Sequence, residues 1–174
     1  MLIISHRGNL AGPGTAPHKE NHPESVRHAL FLGFDVEVDI WLKNGKYYSG
    51  HDKPDYEVNS NFFNNYKLWI HAKNIEALHS LRGNPLINLF YHDIDDCVLT
   101  STQKLWVYPH HKNILTNQSI AVMAERVPGW NLEGCLGVCT DFPTEFKKNR
   151  NFHQTFQSDE EIVISNEDIQ ALNR

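Results

Sequence analysis

The chain has little of what staples small folds or crosses bilayers. Only three of its 174 residues are cysteines, an odd number that does not make a disulfide framework. Cys135 and Cys139 have no second Cys/His pair of zinc-finger spacing beside them, so a structural zinc module is not expected either. The thiols read as reduced, which predicts a cytoplasmic protein. No apolar run approaches the roughly 20 residues of a membrane-spanning helix, so stable membrane insertion is not expected. Met1-Leu2-Ile3-Ile4 leads straight to His6 with no basic segment and no apolar core, so no secretory leader is predicted. A formal net charge of −5 gives no general affinity for nucleic acid or acidic membranes.

What is present is an ordinary globular composition, long enough for one domain over residues 1–174 with a real core. Strand and helix signals alternate. Leu2 to Ser5 is a short apolar run, followed by a Gly/Pro/Asn-rich loop from Gly8 to His22. A helix is predicted from Pro23 to Gly33, with Val26, Ala29 and Leu30 on its apolar face. Phe34 to Leu42 alternates as a strand does, and Asn44-Gly45 is a hairpin turn leading to Lys46–Ser49. Leu68 to Lys73 reads as a strand. A helix follows, capped by Asn74 and ended at Gly83, with Ile75, Leu78 and Leu81 as its stripe. Further strand-like runs are Ile87–Tyr91, Leu105–Tyr108, Ile120–Met123 and Leu136–Thr140, and Ser165-Asn166-Glu167-Asp168 opens a terminal helix.

Successive strand residues face opposite sides. In the second strand Val36, Val38 and Ile40 oppose Asp35, Glu37 and Asp39; in the strand from Leu68, Ile70 and Ala72 oppose His71 and Lys73. A doubly wound sheet would be apolar on both faces, so one greasy and one ionisable face predict an α/β barrel of the TIM type. The chain is shorter than the ~200 residues of eight full units. The expectation is therefore a compact, shortened (β/α) barrel with some helices reduced to loops.

Glu37 and Asp39 share a strand face, and two carboxylates held close repel unless a cation lies between them. Oxygen donors suit Mg²⁺ or Ca²⁺ rather than zinc. His6 ends a strand and can move protons near neutrality; Arg7 beside it offers a planar fork for phosphate oxygens. His51 follows Gly50 and precedes Asp52, which can orient its ring. Two imidazoles, a guanidinium and paired carboxylates are the groups that metal-assisted cleavage of a phosphate ester requires. Trp41, Trp69, Trp106 and Tyr108 fall on the same faces, either as core or as pocket walls. Tyr108-Pro109-His110-His111 reads as a rim loop, and Asp141 either faces the rim or caps a turn.

These segments together resemble the glycerophosphodiester phosphodiesterase family, within the superfamily of phosphatidylinositol phospholipase C-like barrels. The matching motifs are His6-Arg7-Gly8, Pro23-Glu24-Ser25 where the family has Pro-Glu-Asn-Thr, and Gly33 to Ile40 with Glu37 and Asp39. Asn44-Gly45, Gly50-His51-Asp52 and Gly137 to Pro143 follow. Residues 1–52 are covered densely, residues 84–134 thinly. The resemblance implies His6 and His51 as the acid/base pair and Glu37 and Asp39 as ligands of a divalent metal. It implies Arg7 and Lys73 as phosphate-binding residues, with Glu24 supporting either Arg7 or the metal environment.

One departure stands out. The family has Glu-x-Lys on the third strand, whereas this chain has His71-Ala72-Lys73. The third metal ligand is then either His71 or a carboxylate from Asp93 or Asp95. The implied activity is cleavage of a small phosphodiester, by water or by a neighbouring substrate hydroxyl that would give a cyclic phosphate. Two other readings stay open. One is a barrel that binds a phosphorylated ligand without cleaving it. The other is a different metal hydrolase or isomerase built on His71 and the Asp93–Asp96 cluster.

Overall fold

The structure, a computed structural model, describes residues 1–15, 18–109 and 115–156. The helix predicted at Ser165 lies outside them, as do His110 and His111. The described elements run β1 (Leu2–His6), α1 (Pro23–Phe31), β2 (Asp35–Lys43), β3 (Lys46–Ser49), β4 (Tyr56–Val58), β5 (Leu68–Ala72) and α2 (Ile75–Leu81). They continue with β6 (Asn88–Phe90), β7 (Cys97–Leu99), β8 (Leu105–Val107), β9 (Ser119–Val122), β10 (Gly137–Thr140) and α3 (Pro143–Phe156).

All ten strands form one mixed sheet. Parallel pairing runs β6–β5–β2–β1–β10–β9–β8. β7 adds antiparallel to β8, and β3 and β4 extend antiparallel from β2. The sheet curls into a half-barrel. Side chains from strands far apart in the order meet across the concave face: Trp106 of β8 packs on Phe90 of β6 at 4.7 Å between ring centroids and on Trp69 of β5 at 5.6 Å.

This corrects the expected shortened TIM-type barrel. Among the described residues β6 and β8 share no ladder, and only three α-helices are present. The physical reason lies in the connections. The chain from β6 reaches β8 through the β7 hairpin partner, and β9 reaches β10 through a 3-10 turn at Ala124–Arg126 and loops. Neither route holds a covering helix, so the ring of crossovers that defines a (β/α) barrel does not form.

Where helices do cover the sheet, the faces divide as the alternation predicts. Val36, Val38, Ile40, Leu68, Ile70 and Ala72 are buried on the convex side against Val26 and Ala29 of α1 and Ala77 and Leu81 of α2. Ile75, expected in the α2 stripe, is instead exposed, and Ala77 takes the inward position. Asn74 caps α2 through the Ala77 N–H, and Gly33, at φ 92°, lets the chain turn left-handed after α1. The concave side holds a second cluster of Ile4, Trp69, Phe90, Trp106, Ile120, Val122 and Cys139. No described helix is long and apolar enough to cross a membrane.

β1 and β10 approach so closely at Gly137 that an added Cβ would lie 2.7 Å from the Leu2 carbonyl oxygen. Gly137→Ala must push β1 away from β10, and overpacking of this kind costs about 1–3 kcal/mol. Urea unfolding of the variant is expected to show a lowered midpoint of that size with an unchanged slope; an unaltered midpoint would show that the strands yield freely.

Candidate functional site

The site begins with a gap in the sheet. One edge of β2 pairs with β1 at Asp35–Glu37 and with β3 at Ile40–Lys43, while the other edge pairs with β5 from Val36 to Ile40. Between β1 and β3 the backbone of Asp39 has no strand beside it on that edge. Asn21 fills the gap. Its Oδ1 accepts the Asp39 N–H at 2.9 Å, its Nδ2 donates to Asp39 Oδ2 at 2.8 Å, and its carbonyl accepts the Ser49 hydroxyl at 2.6 Å. Asn21 adopts φ 61°, a left-handed conformation that asparagine tolerates better than most residues.

Asp39 is fully buried and ringed by polar partners. Besides Asn21, His71 Nδ1 donates to Asp39 Oδ1 at 2.9 Å, Arg7 Nε lies 3.1 Å from Oδ2, and Lys73 Nζ lies 3.5 Å from Oδ1. Burial alone would raise its pKa, but the hydrogen bond from His71 and the charges of Arg7 and Lys73 hold it well below the usual carboxylate range. Glu37, two residues earlier on the same face, is pushed the other way. Burial and the neighbouring Asp39 charge raise its pKa. Among the described residues its carboxylate accepts one hydrogen bond, a long one of 3.3 Å from the Arg7 N–H to Oε2.

One donor atom each from Glu37, Asp39 and His71 lies within 4.8 Å of the others. Two carboxylates and an imidazole in this spacing fit a divalent cation, and the thinly bonded carboxylate of Glu37 is the group that such a cation would relieve.

His6 sits beside this cluster. Its Nδ1 donates to Asp141 Oδ1 at 2.7 Å, which leaves Nε2 3.9 Å from Glu37 Oε2. Burial opposes a charge on the ring, but the bond to Asp141 and the Glu37 carboxylate prevail and the His6 pKa is raised. Asp141 is itself anchored, since Asn9 Nδ2 donates to the same oxygen at 2.8 Å and Arg126 lies 3.6 Å from the other. His51 repeats the arrangement at the surface, with Nδ1 donating to Asp52 Oδ1 at 2.7 Å. The tight loop that carries it depends on Gly50, at φ 147°, where a Cβ would lie 2.2 Å from the Lys53 carbonyl. Trp41 Nε1 donates to the Gly50 carbonyl at 2.7 Å and steadies the same loop.

A cavity of about 1100 Å³ joins these groups; His6, Arg7, Glu37, Asp39, His51, His71 and Lys73 all line it. The sequence-predicted residues therefore share one space, with one exception. Glu24 is a correction. It lies on the exposed face of α1, paired with Arg27, and touches neither Arg7 nor the carboxylates. The reason is helical: after Pro23 at the first position, Ser25 and Val26 turn inward and Glu24 turns out. Asp93 and Asp95 also line the cavity but are exposed, and neither belongs to the cation-sized group with His71. Of the aromatic residues, Trp106 and Tyr108 line the cavity, whereas Trp69 is core and Trp41 serves the loop.

Glu20 takes the role expected of Glu24, accepting from Arg7 Nη1 at 3.2 Å and from Asn9 Nδ2 at 2.8 Å. Its signal was in the chain: Glu20-Asn21 repeats the Glu-Asn of Pro-Glu-Asn-Thr just upstream of the Pro23 match. Arg7 and Met123, both on the cavity wall, share the left-handed backbone of Asn21, at φ 53° and 52°. Such conformations persist where surrounding contacts over-determine them. No protein-family model matches the chain, and no curated protein matches it.

The His6–Asp141 pair makes a sign-definite prediction. Because the folded-state pKa of His6 is raised, the pair's contribution to stability is full below the unfolded value of about 6.5 and is lost as pH rises through the folded value. An NMR titration of His6 should give a midpoint above that of a free histidine, and Asp141→Asn should lower it. A midpoint unmoved by Asp141→Asn would mean that the hydrogen bond does not govern the ring.

Proposed function

We propose that the chain is a metal-dependent phosphodiesterase acting on a small, glycerophosphodiester-like substrate. One observation carries the reading: two carboxylate-oriented histidines, an arginine and a lysine line the same cavity as a buried pair of carboxylates. The resemblance of residues 1–52 to glycerophosphodiester phosphodiesterases supports the same chemistry.

Each histidine has Nδ1 tied to an aspartate, so Nε2 is the atom left to exchange a proton. His6, deep in the cavity with a raised pKa, is suited to protonate a leaving alkoxide. His51, at the solvent edge, is placed to take a proton from the attacking hydroxyl, whether of water or of the substrate. Arg7 and Lys73 face the cavity with charge that can bind phosphoryl oxygens, and Glu20 keeps the guanidinium aimed. Glu37, Asp39 and His71 would hold a divalent cation, and the cation when bound supplies Lewis-acid charge to the phosphate. Cys97, Cys135 and Cys139 are all free thiols, which supports a reducing, cytoplasmic setting for a small-molecule enzyme.

The test is a screen of bis(p-nitrophenyl) phosphate and glycerophosphodiesters, run with added divalent cations and with chelator. Wild type should turn over at least one diester. His6→Ala and His51→Ala should each lower kcat/KM by about 10²–10⁴, the usual worth of a positioned acid or base. Near-normal turnover in both variants would remove the histidines from the chemistry, and an inert wild type would leave the cavity as a binding site.

A further inference from the structure

The three groups that could hold a cation are not chemically alike. Glu37 and Asp39 bring carboxylate oxygens from β2, whereas His71 brings an imidazole nitrogen from β5. His71 is fixed in place. It stands directly opposite Asp39 in the parallel ladder and donates to it at 2.9 Å. Its ring stacks on Phe90 at 5.2 Å and 6°, and on His92 at 4.4 Å and 13°. An imidazole held in a stack of this kind has little freedom to swing out of the cluster, and a cation would take its lone pair on Nε2, or on Nδ1 once the proton shared with Asp39 is released to solvent.

Mg²⁺ and Ca²⁺ are hard ions that favour shells of oxygen, while nitrogen donors favour the later first-row ions in the order Mn²⁺ < Co²⁺ < Ni²⁺ < Cu²⁺. Two further features act in the same direction. Arg7 and Lys73 lie 3.1 and 3.5 Å from Asp39 and offset part of its negative charge, which weakens any ion held by charge alone. The acidic groups that would restore an oxygen-rich shell, Asp93 and Asp95, are exposed at the cavity mouth and outside the cluster.

We infer that the Glu37–Asp39–His71 cluster selects a first-row transition cation, Co²⁺ above Mn²⁺, over Mg²⁺ and Ca²⁺, with His71 as the discriminating donor. This deepens the metal half of the proposed function and does not depend on the phosphodiester half. It also replaces the Mg²⁺ or Ca²⁺ expected from the carboxylate pair, because the third donor is nitrogen rather than oxygen.

The full chain, stripped with chelator, is titrated calorimetrically with Mn²⁺, Co²⁺, Mg²⁺ and Ca²⁺ in the absence of any substrate. One Mn²⁺ or Co²⁺ should bind per chain, with a Kd at least about tenfold below that for Mg²⁺. Glu37→Gln should abolish that binding, which separates the site from the chain's many other histidines. His71→Glu, checked for folding by circular dichroism, should shift the ranking towards Mg²⁺. Mg²⁺ or Ca²⁺ binding as tightly as Mn²⁺ would overturn the inference, as would Mn²⁺ affinity unchanged in Glu37→Gln or His71→Ala, or no saturable binding at all. If His71→Glu does not fold, the wild-type ranking decides alone. Diester cleavage plays no part in the readout, so an inert enzyme that still ranks Co²⁺ and Mn²⁺ above Mg²⁺ would sink the proposed reaction and leave this inference standing.

Discussion

A single buried carboxylate organises the molecule. Asp39 sits on β2, the strand at which the sheet branches, with none of its surface in water, and an ionised group in that position is tolerated only with close partners. Its partners come from the two ends of the β1–α1 loop and from the end of β5. The electrostatic need of one residue thus ties two remote chain segments to β2. The candidate site is not added to the fold at its edge, because the contacts that build the cluster also close the gap between β1 and β3.

The strain found nearby follows from this requirement. Arg7 and Asn21 adopt left-handed backbone so that a guanidinium and an amide can both reach Asp39 from outside the sheet. Gly8, at φ 80°, lets the chain pass close to Ser25 of α1, and an added Cβ there would stand 3.0 Å from it. Such distortions cost of order 1–3 kcal/mol each, and the hydrogen bonds converging on Asp39 are the interactions available to offset them. The two histidines show the same economy at different depths. His6 is oriented by an aspartate that Asn9 and Arg126 hold, within a packed interior; His51 is oriented by an exposed aspartate next to it in the chain. Similar local geometry in unlike surroundings is how one residue type can serve two proton-transfer roles.

The concave face divides between core and chemistry along each strand. Ile4 precedes His6, Trp69 precedes His71, and Cys139 precedes Asp141, in each case by two residues on one face. The inward apolar residue of each pair fills the bottom of the half-barrel. Of the ionisable residues, His6 and His71 face the cavity, and Asp141 holds the His6 ring. Rings packed across the open side, Phe90 and Trp106 above all, do by side-chain contact what a hydrogen-bonded ladder would do in a closed barrel.

The amino-acid sequence by itself determined what depends on neighbours in the chain. Alternation over Phe34–Leu42 placed Glu37 and Asp39 on one face, Pro23 and Asn74 started the helices, and Gly50-His51-Asp52 carried its own ring-orienting carboxylate. Periodicity, caps and turns are short-range effects, so a few residues suffice to specify them. It also held Glu20-Asn21 close to Pro23-Glu24, and only the outward turn of the first helical residues decided between the two glutamates. Tertiary structure alone decided the rest. It left the sheet as a half-barrel without closure, set Asp141 against His6 from 135 residues away, and grouped His71 rather than Asp93 or Asp95 with Glu37 and Asp39. Those outcomes depend on which strands pair and how far the sheet curls, and such long-range choices are fixed by the packing of the whole chain rather than by any local pattern within it.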